Sequence, residues 1–207
     1  ELLPRVRQLM DLAAQADINL TIDAEEADRL ELSLDVFDRL AAHVQATAPQ
    51  WSGFGLAIQS YQLRALDMIH AVADIARARG LRFMVRLVKG AYWDGEIKRA
   101  QELGLAGYPV FTHKHHTDIS YLACAQALVQ HHALIFTQFA THNAGTVAAI
   151  LQMAQRQQGN VRFELQRLHG MGDATYREVC ASQPGLPLRV YAPVGEHRDL
   201  LAYLVRR

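Results

Sequence analysis

The sequence predicts an α/β fold with a parallel sheet, and three observations carry that reading. Strand-like and helix-like periods alternate along all 207 residues. The strands tend to finish in polar or charged side chains, which is where parallel α/β folds place their chemistry. No GxGxxG opens a strand–helix turn, which argues against a dinucleotide-binding Rossmann sheet. Six strands are expected in 207 residues, whereas a complete (β/α)8 TIM-like barrel takes about 250. Residues 1–207 therefore read as one partial barrel domain, with the first two strands absent.

The elements follow in order. Leu2 to Ala14 carries apolar residues at helical spacing, and Ile18 to Asp23 then reads as a strand. Glu25 to Gln45 is amphipathic, with Leu30, Leu32, Leu34, Phe37, Leu40 and Ala41 on or near one side. Gly55 to Gln59 is a short strand and Gln62 to Ala78 a helix. Leu81 to Lys89 is the next strand, followed by a helix from Asp94 to Leu103. Tyr108 to His116 fits neither period. Ser120 to Gln130 is helical, Ala133 to Ala140 a strand and Asn143 to Gln157 a helix. Val161 to Leu168 is a strand, Ala174 to Ser182 a helix and Leu188 to Pro193 the last strand. A final helix starts near Glu196. The strand ends are Asp23, Gln59, Arg86 with Lys89, Thr141-His142-Asn143, Gln166 with Arg167, and Tyr191.

Composition narrows the function classes. With 21 basic and 21 acidic side chains the formal net charge is zero, which argues against a nucleic-acid-binding surface. No apolar run reaches the ~18 residues of a membrane span, and no signal pattern precedes the first helix. The two cysteines, Cys124 and Cys180, stand far apart outside any CxxC pattern. They point to a reducing, cytoplasmic setting and to packing roles. The chain opens at Glu1, so a longer parent is expected.

Phe83 to Asp94 is the most informative stretch. It reads as a buried strand, yet it contains Arg86 and Lys89 and closes in Gly90, Ala91, Tyr92 and Trp93. Buried cations require an anionic partner, glycine permits close approach, and the aromatics offer flat faces. Together they fit an anionic aromatic cofactor such as a flavin nucleotide; solvated charges on an edge strand are the alternative. Thr112-His113-Lys114-His115-His116 resembles a zinc cluster only superficially, because neither HExxH nor CxxC accompanies it, and a polar loop or phosphate contact is expected instead. Thr141-His142-Asn143 suits either a phosphate or ring edge at a helix start or a plain helix cap. The acidic run from Asp23 to Asp28 supplies ordinary helix-dipole partners, apart from Asp23 at the strand end. Tyr203, Arg206 and Arg207 share a helix face, and arginines are suited to gripping a carboxylate.

These segments also occur in a family order. Asp23-Ala24-Glu25-Glu26-Ala27-Asp28-Arg29-Leu30, Gln59-Ser60-Tyr61-Gln62, Arg86-Leu87-Val88-Lys89-Gly90-Ala91-Tyr92-Trp93-Asp94, Phe139-Ala140-Thr141-His142-Asn143, Leu168-His169-Gly170-Met171-Gly172, Tyr191-Ala192-Pro193-Val194-Gly195 and Leu200 to Arg207 resemble, over essentially the whole chain, the proline dehydrogenase domain of bacterial proline utilization A flavoenzymes. The resemblance implies a distorted (β/α)8 barrel that holds FAD and oxidises L-proline to Δ¹-pyrroline-5-carboxylate. Electrons then pass to membrane quinone. It further implies a parent with an aldehyde dehydrogenase domain, a homo-oligomer, and a cytoplasmic enzyme that meets the membrane peripherally during turnover.

By matching positions, the resemblance puts Arg86 beside the reactive flavin nitrogen and Gln59 at the ring edge. Val88, Lys89, Gly90, Ala91, Tyr92 and Trp93 then line the flavin and its arm. Thr112, Lys114, Thr141, His142, Asn143, Gln166 and Arg207 complete the cofactor shell, and no metal is implied. Arg206 and Arg207 would clamp the proline carboxylate, Tyr203 would pack on the ring, and Tyr191 would close the pocket with Asp23 as its hydrogen-bond partner. The family's early-strand lysine and the glutamate beyond its double arginine have no counterpart here, so weak FAD binding by residues 1–207 alone is expected. Two other readings compete: a Schiff-base aldolase with Lys89 as nucleophile, and a unit that serves only folding or docking.

Overall fold

The computed structural model describes residues 2–196. Six strands, β1 (Leu20–Ile22), β2 (Phe54–Gln59), β3 (Phe83–Val88), β4 (Ile135–Ala140), β5 (Phe163–Leu168) and β6 (Leu188–Tyr191), form one sheet in chain order. Every neighbouring pair is parallel. The intervening helices are α1 (Leu2–Gln15), α2 (Leu30–Thr47), α3 (Ala65–Arg79), α4 (Trp93–Glu102), α5 (Lys114–Gln130), α6 (Ala144–Arg156) and α7 (Asp173–Ser182). The predicted parallel α/β architecture is what forms.

Alternation along the strands sorts the residues between two faces. In β3 the buried Phe83, Val85 and Leu87 face the helices, while Met84, Arg86 and Val88 take the other side. On the helix side, Phe37 of α2 stacks on Phe54 at 4.8 Å and meets Phe83 edge-on at 4.9 Å, geometries aromatic pairs prefer. Ala65, Ala73 and Ala76 of α3 are buried with Ile69 and Val72, so this helix lies close on the sheet. It stops at Gly80, whose φ of 62° suits a left-handed cap, and the N–H of Leu81 returns to the Ala76 carbonyl at 3.0 Å.

The sheet curls. In a flat sheet β3 and β6 would be separated by three spacings of about 4.8 Å each, yet the Arg86 guanidinium lies 5.3 Å from the centre of the Tyr191 ring. The same guanidinium pairs with Asp23, just past β1. The concave face is small where β2 passes: Gly55 and Ala57 pair with Met84 and Arg86, and a Cβ on Gly55 would sit 2.0 Å from the Met84 carbonyl oxygen. The result is a curled part-barrel whose carboxyl strand ends share one mouth.

Some boundaries shift from the sequence reading. Strand β1 is only three residues long, and Ala27–Arg29 forms a 3-10 turn before α2 begins. Leu32 is 63% exposed, because two residues beyond Leu30 lie about 200° around a helix. The histidine-rich segment, expected as a polar loop or phosphate contact, is non-helical only at Thr112 and His113, and α5 opens at Lys114. The inward row Thr117, Tyr121, Cys124 and Leu128 explains this, since its helical spacing extends back past Ser120. Among the described residues no helix is long and apolar enough to cross a membrane. The final helix, with Tyr203, Arg206 and Arg207, lies outside the described residues.

Candidate active site

All six strand ends open into one cavity of about 560 Å³. Its lining contains Asp23, Gln59, Arg86, Val88, Lys89, Gly90, Ala91, Tyr92, Lys114, Thr141, His142, Asn143, Gln166 and Tyr191. Every site residue expected from the sequence and lying in the described part is therefore brought together, with two exceptions. Trp93 and Thr112 are outside the lining, and the Trp93 indole N–H instead donates to the Phe111 carbonyl at 2.8 Å, bracing the segment before α5.

The cations are held rather than loose. The Arg86 side chain is 15% exposed, donates to Asp23 and sits over the Tyr191 ring at 5.3 Å from its centre. Lys89 and Lys114 share the carboxylate of Asp118, Lys114 at 2.8 Å. Hydrogen bonds from Lys114 and then Lys89 hold the Asp118 carboxyl below the usual carboxylate range. That leaves one net positive charge at this wall. Arg167 pairs with Asp173 at 2.6 Å and donates to the Met171 carbonyl, which pins the glycine-containing turn after β5.

Gln59 has both ends of its amide engaged. It donates to the Glu25 carbonyl at 3.0 Å and accepts from the Ala91 N–H at 3.3 Å, tying together the loops after β1 and β3. Asn143 accepts from the Thr146 N–H at 2.9 Å and Thr141 accepts from the Asn143 N–H at 3.2 Å. The helix-cap reading of this triplet is correct, and the same residues line the cavity. Gly90 has φ +134°, and a Cβ there would lie 2.5 Å from the Tyr61 ring.

His142 accepts the Leu168 N–H on Nε2 at 3.0 Å, so the neutral imidazole carries its proton on Nδ1. Burial and then the charge of Arg167 lower its pKa from 6.5. The folded state thus takes up the proton less readily than the unfolded chain. Stability from this group is complete above the ordinary value of 6.5 and declines as pH falls from there through the folded pKa. His131 has the same sign, through burial and then His70. The thermal midpoint is expected to drop as the protein is acidified from about pH 6.5 downward. His142→Gln, which keeps an acceptor for Leu168, should flatten part of that slope in a melting series against pH.

Sequence reasoning missed Asp118, Glu164 and the wall formed by Ala24, Ala57, Ala140 and Leu168, whereas Arg167, singled out as a strand end, does line the cavity. Two signals were present: Asp118 lies one helical turn from Lys114, and Glu164, Gln166 and Leu168 alternate along one strand. Cys124 is a buried thiol pushed up to about 11 by burial, and Cys180 is exposed; neither lies at the cavity. Among the described residues no cluster of three or more metal-ligating side chains is present.

Comparisons with known proteins agree with this geometry. The family model described as proline dehydrogenase matches residues 2–207. The bifunctional protein PutA of Klebsiella aerogenes is 52% identical over 211 residues, covering 100% of this chain and 16% of that protein. Proline dehydrogenase 1 of Bacillus subtilis is 29% identical, covering 99% of this chain and 58% of that one. A crystal structure of Bradyrhizobium japonicum proline utilization A superposes with a TM-score of 0.91 at 57% identity, over all of this chain and 21% of its own.

Proposed function

The chain belongs to the proline dehydrogenase family, and from that premise we propose that its cavity holds FAD and oxidises L-proline to Δ¹-pyrroline-5-carboxylate. The observation that supports this most is the meeting of β1, β3 and β6 at one guanidinium, with Arg86 between Asp23 and the Tyr191 ring. The donor set fits a flavin nucleotide. Lys89 and Lys114 supply cations for its phosphates, the cap at Asn143 directs the start of α6 toward the same mouth, and Val88, Ala91 and Tyr92 offer apolar wall. When bound, FAD would accept the hydride that proline loses from the ring carbon beside nitrogen.

The chain's own residues have separate tasks in this reading. Arg86 stabilises negative charge that develops in the cavity, and Asp23 and Tyr191 hold its plane in one orientation. His142 stays neutral and offers Nδ1–H as a donor. Arg206, Arg207 and Tyr203 would grip the proline carboxylate and ring, fixing the face presented for transfer. An aldolase role for Lys89 is disfavoured by its ion pair with Asp118, since a paired ammonium has no lone pair to attack with.

The chain spans 16% of the Klebsiella relative, and we place residues 1–207 as the partial barrel domain of a longer protein. That protein would pair the barrel with an aldehyde dehydrogenase domain, assemble as a homo-oligomer, and deliver electrons to membrane quinone from the cytoplasmic side. The test is an anaerobic visible spectrum of the FAD-loaded protein before and after L-proline. The oxidised flavin bands are expected to bleach. Bands that survive proline yet bleach with dithionite would overturn the reading.

A further inference from the structure

A carboxylate buried in the concave face has no part in the reaction just described. Glu164 of β5 is 3% exposed, and all its contacts are donors from three strands. Its Oε1 accepts from Gln138 Nε2 on β4 at 2.9 Å, from Gln166 Nε2 at 2.7 Å and from Arg189 Nε on β6 at 2.7 Å. Its Oε2 accepts from Arg189 Nη2 at 3.0 Å. Burial on its own would push this carboxyl up, but the hydrogen bonds from Arg189 and Gln166, with the charge of Arg189, bring it below the usual range. Hydrogen bonding to Glu164 in turn raises the pKa of Arg189. The group is therefore ionised at neutral pH and can only accept.

An acceptor-only neighbour dictates which way an amide turns. Gln166 must present its NH₂ to Glu164, so its carbonyl oxygen is the end left for a ligand in the cavity that Gln166 lines. We infer that Glu164 is a positioning residue: with Arg189 it fixes the Gln166 amide so that this wall of the cavity offers a hydrogen-bond acceptor. The inference rests on the flavin reading of the cavity. A ligand edge seated there has to carry an N–H, as the imide of an oxidised isoalloxazine does, whereas a carbonyl edge would meet lone pairs and be rejected.

Without Glu164 the amide is free to rotate and present NH₂ instead. The test is a double-mutant cycle read by FAD affinity from flavin fluorescence, with the melting temperature of the FAD-free protein as a second readout. Glu164→Gln is expected to weaken FAD about tenfold, the effect of one well-placed hydrogen bond. In a Gln166→Ala background, where no amide remains to be oriented, the same substitution should change affinity by less than about twofold. Glu164→Asp keeps a charge for Arg189 while shortening the reach to Gln166, so it covers the case in which Glu164→Gln fails to fold. Its loss should also vanish when Gln166 is alanine. Equal losses in both backgrounds, or no loss in either, would overturn the positioning role and leave the flavin reading intact. A wild-type protein of full native length that binds no FAD would overturn both.

Discussion

Replacing Arg86 by alanine is expected to slow flavin reduction by L-proline about 10²–10³-fold, the usual consequence of removing a preorganised donor from a site of developing charge. The geometry explains the size of the effect. The side chain is largely covered and held on two sides, by the Asp23 carboxylate and by the Tyr191 ring, so it loses little freedom on reaction. Truncation also leaves Asp23 at the mouth without its partner, adding negative charge where the reaction tolerates it least. Arg86→Lys should recover only part of the rate, since an ammonium provides neither the planar fork nor a face for Tyr191. Stopped-flow reduction of the FAD-loaded variants is the measurement. A wild-type rate in Arg86→Ala would remove Arg86 from the mechanism.

Gly90→Ala should do more damage than the addition of one methyl suggests. The backbone at φ +134° is strained for any L side chain, at about 1–3 kcal/mol. The new Cβ would stand 2.5 Å from the Tyr61 ring, which is itself 3% exposed and has little room to retreat. Overpacking of this kind costs a further 1–3 kcal/mol, roughly. Relief by moving the 89–92 segment would carry Lys89, Ala91 and Tyr92 away from the cavity wall. The expected outcome is a melting temperature lowered by several degrees together with clearly weaker FAD binding. Normal affinity in a normally stable variant would show that the segment shifts without consequence.

The fold and the site were legible in the sequence to different depths. The six strands were legible in the alternation of periods, because strand and helix spacings leave distinct patterns, whereas their order in the sheet became visible only in the structure. The site was legible because each strand ended in an out-of-place polar residue, and curling the sheet brings those ends together. Local geometry was harder to read. The start of α5 was hidden by three histidines and a lysine with little pattern of their own, and tertiary burial of Thr117 and Tyr121 decided it. Trp93 was expected at the cavity from the family resemblance, and its indole N–H donates instead to the Phe111 carbonyl. Glu164 was overlooked because the alternation of Glu164, Gln166 and Leu168 places it on one face of β5 without telling whether that face is solvated, which its partners on β4 and β6 decide.

The strand order has a consequence for synthesis. Because each strand pairs only with its predecessor and successor in the chain, each βα unit can settle on the nascent sheet as it leaves the ribosome. The ion pairs do not keep the same schedule. Glu164 awaits Arg189, 25 residues later, an interval of about 1–5 s at ordinary translation rates. During that interval a carboxylate meant for the interior has only amide partners, and β5 is the exposed growing edge. Slow codons between these two positions would prolong that interval, whereas uninterrupted elongation through β6 would shorten it.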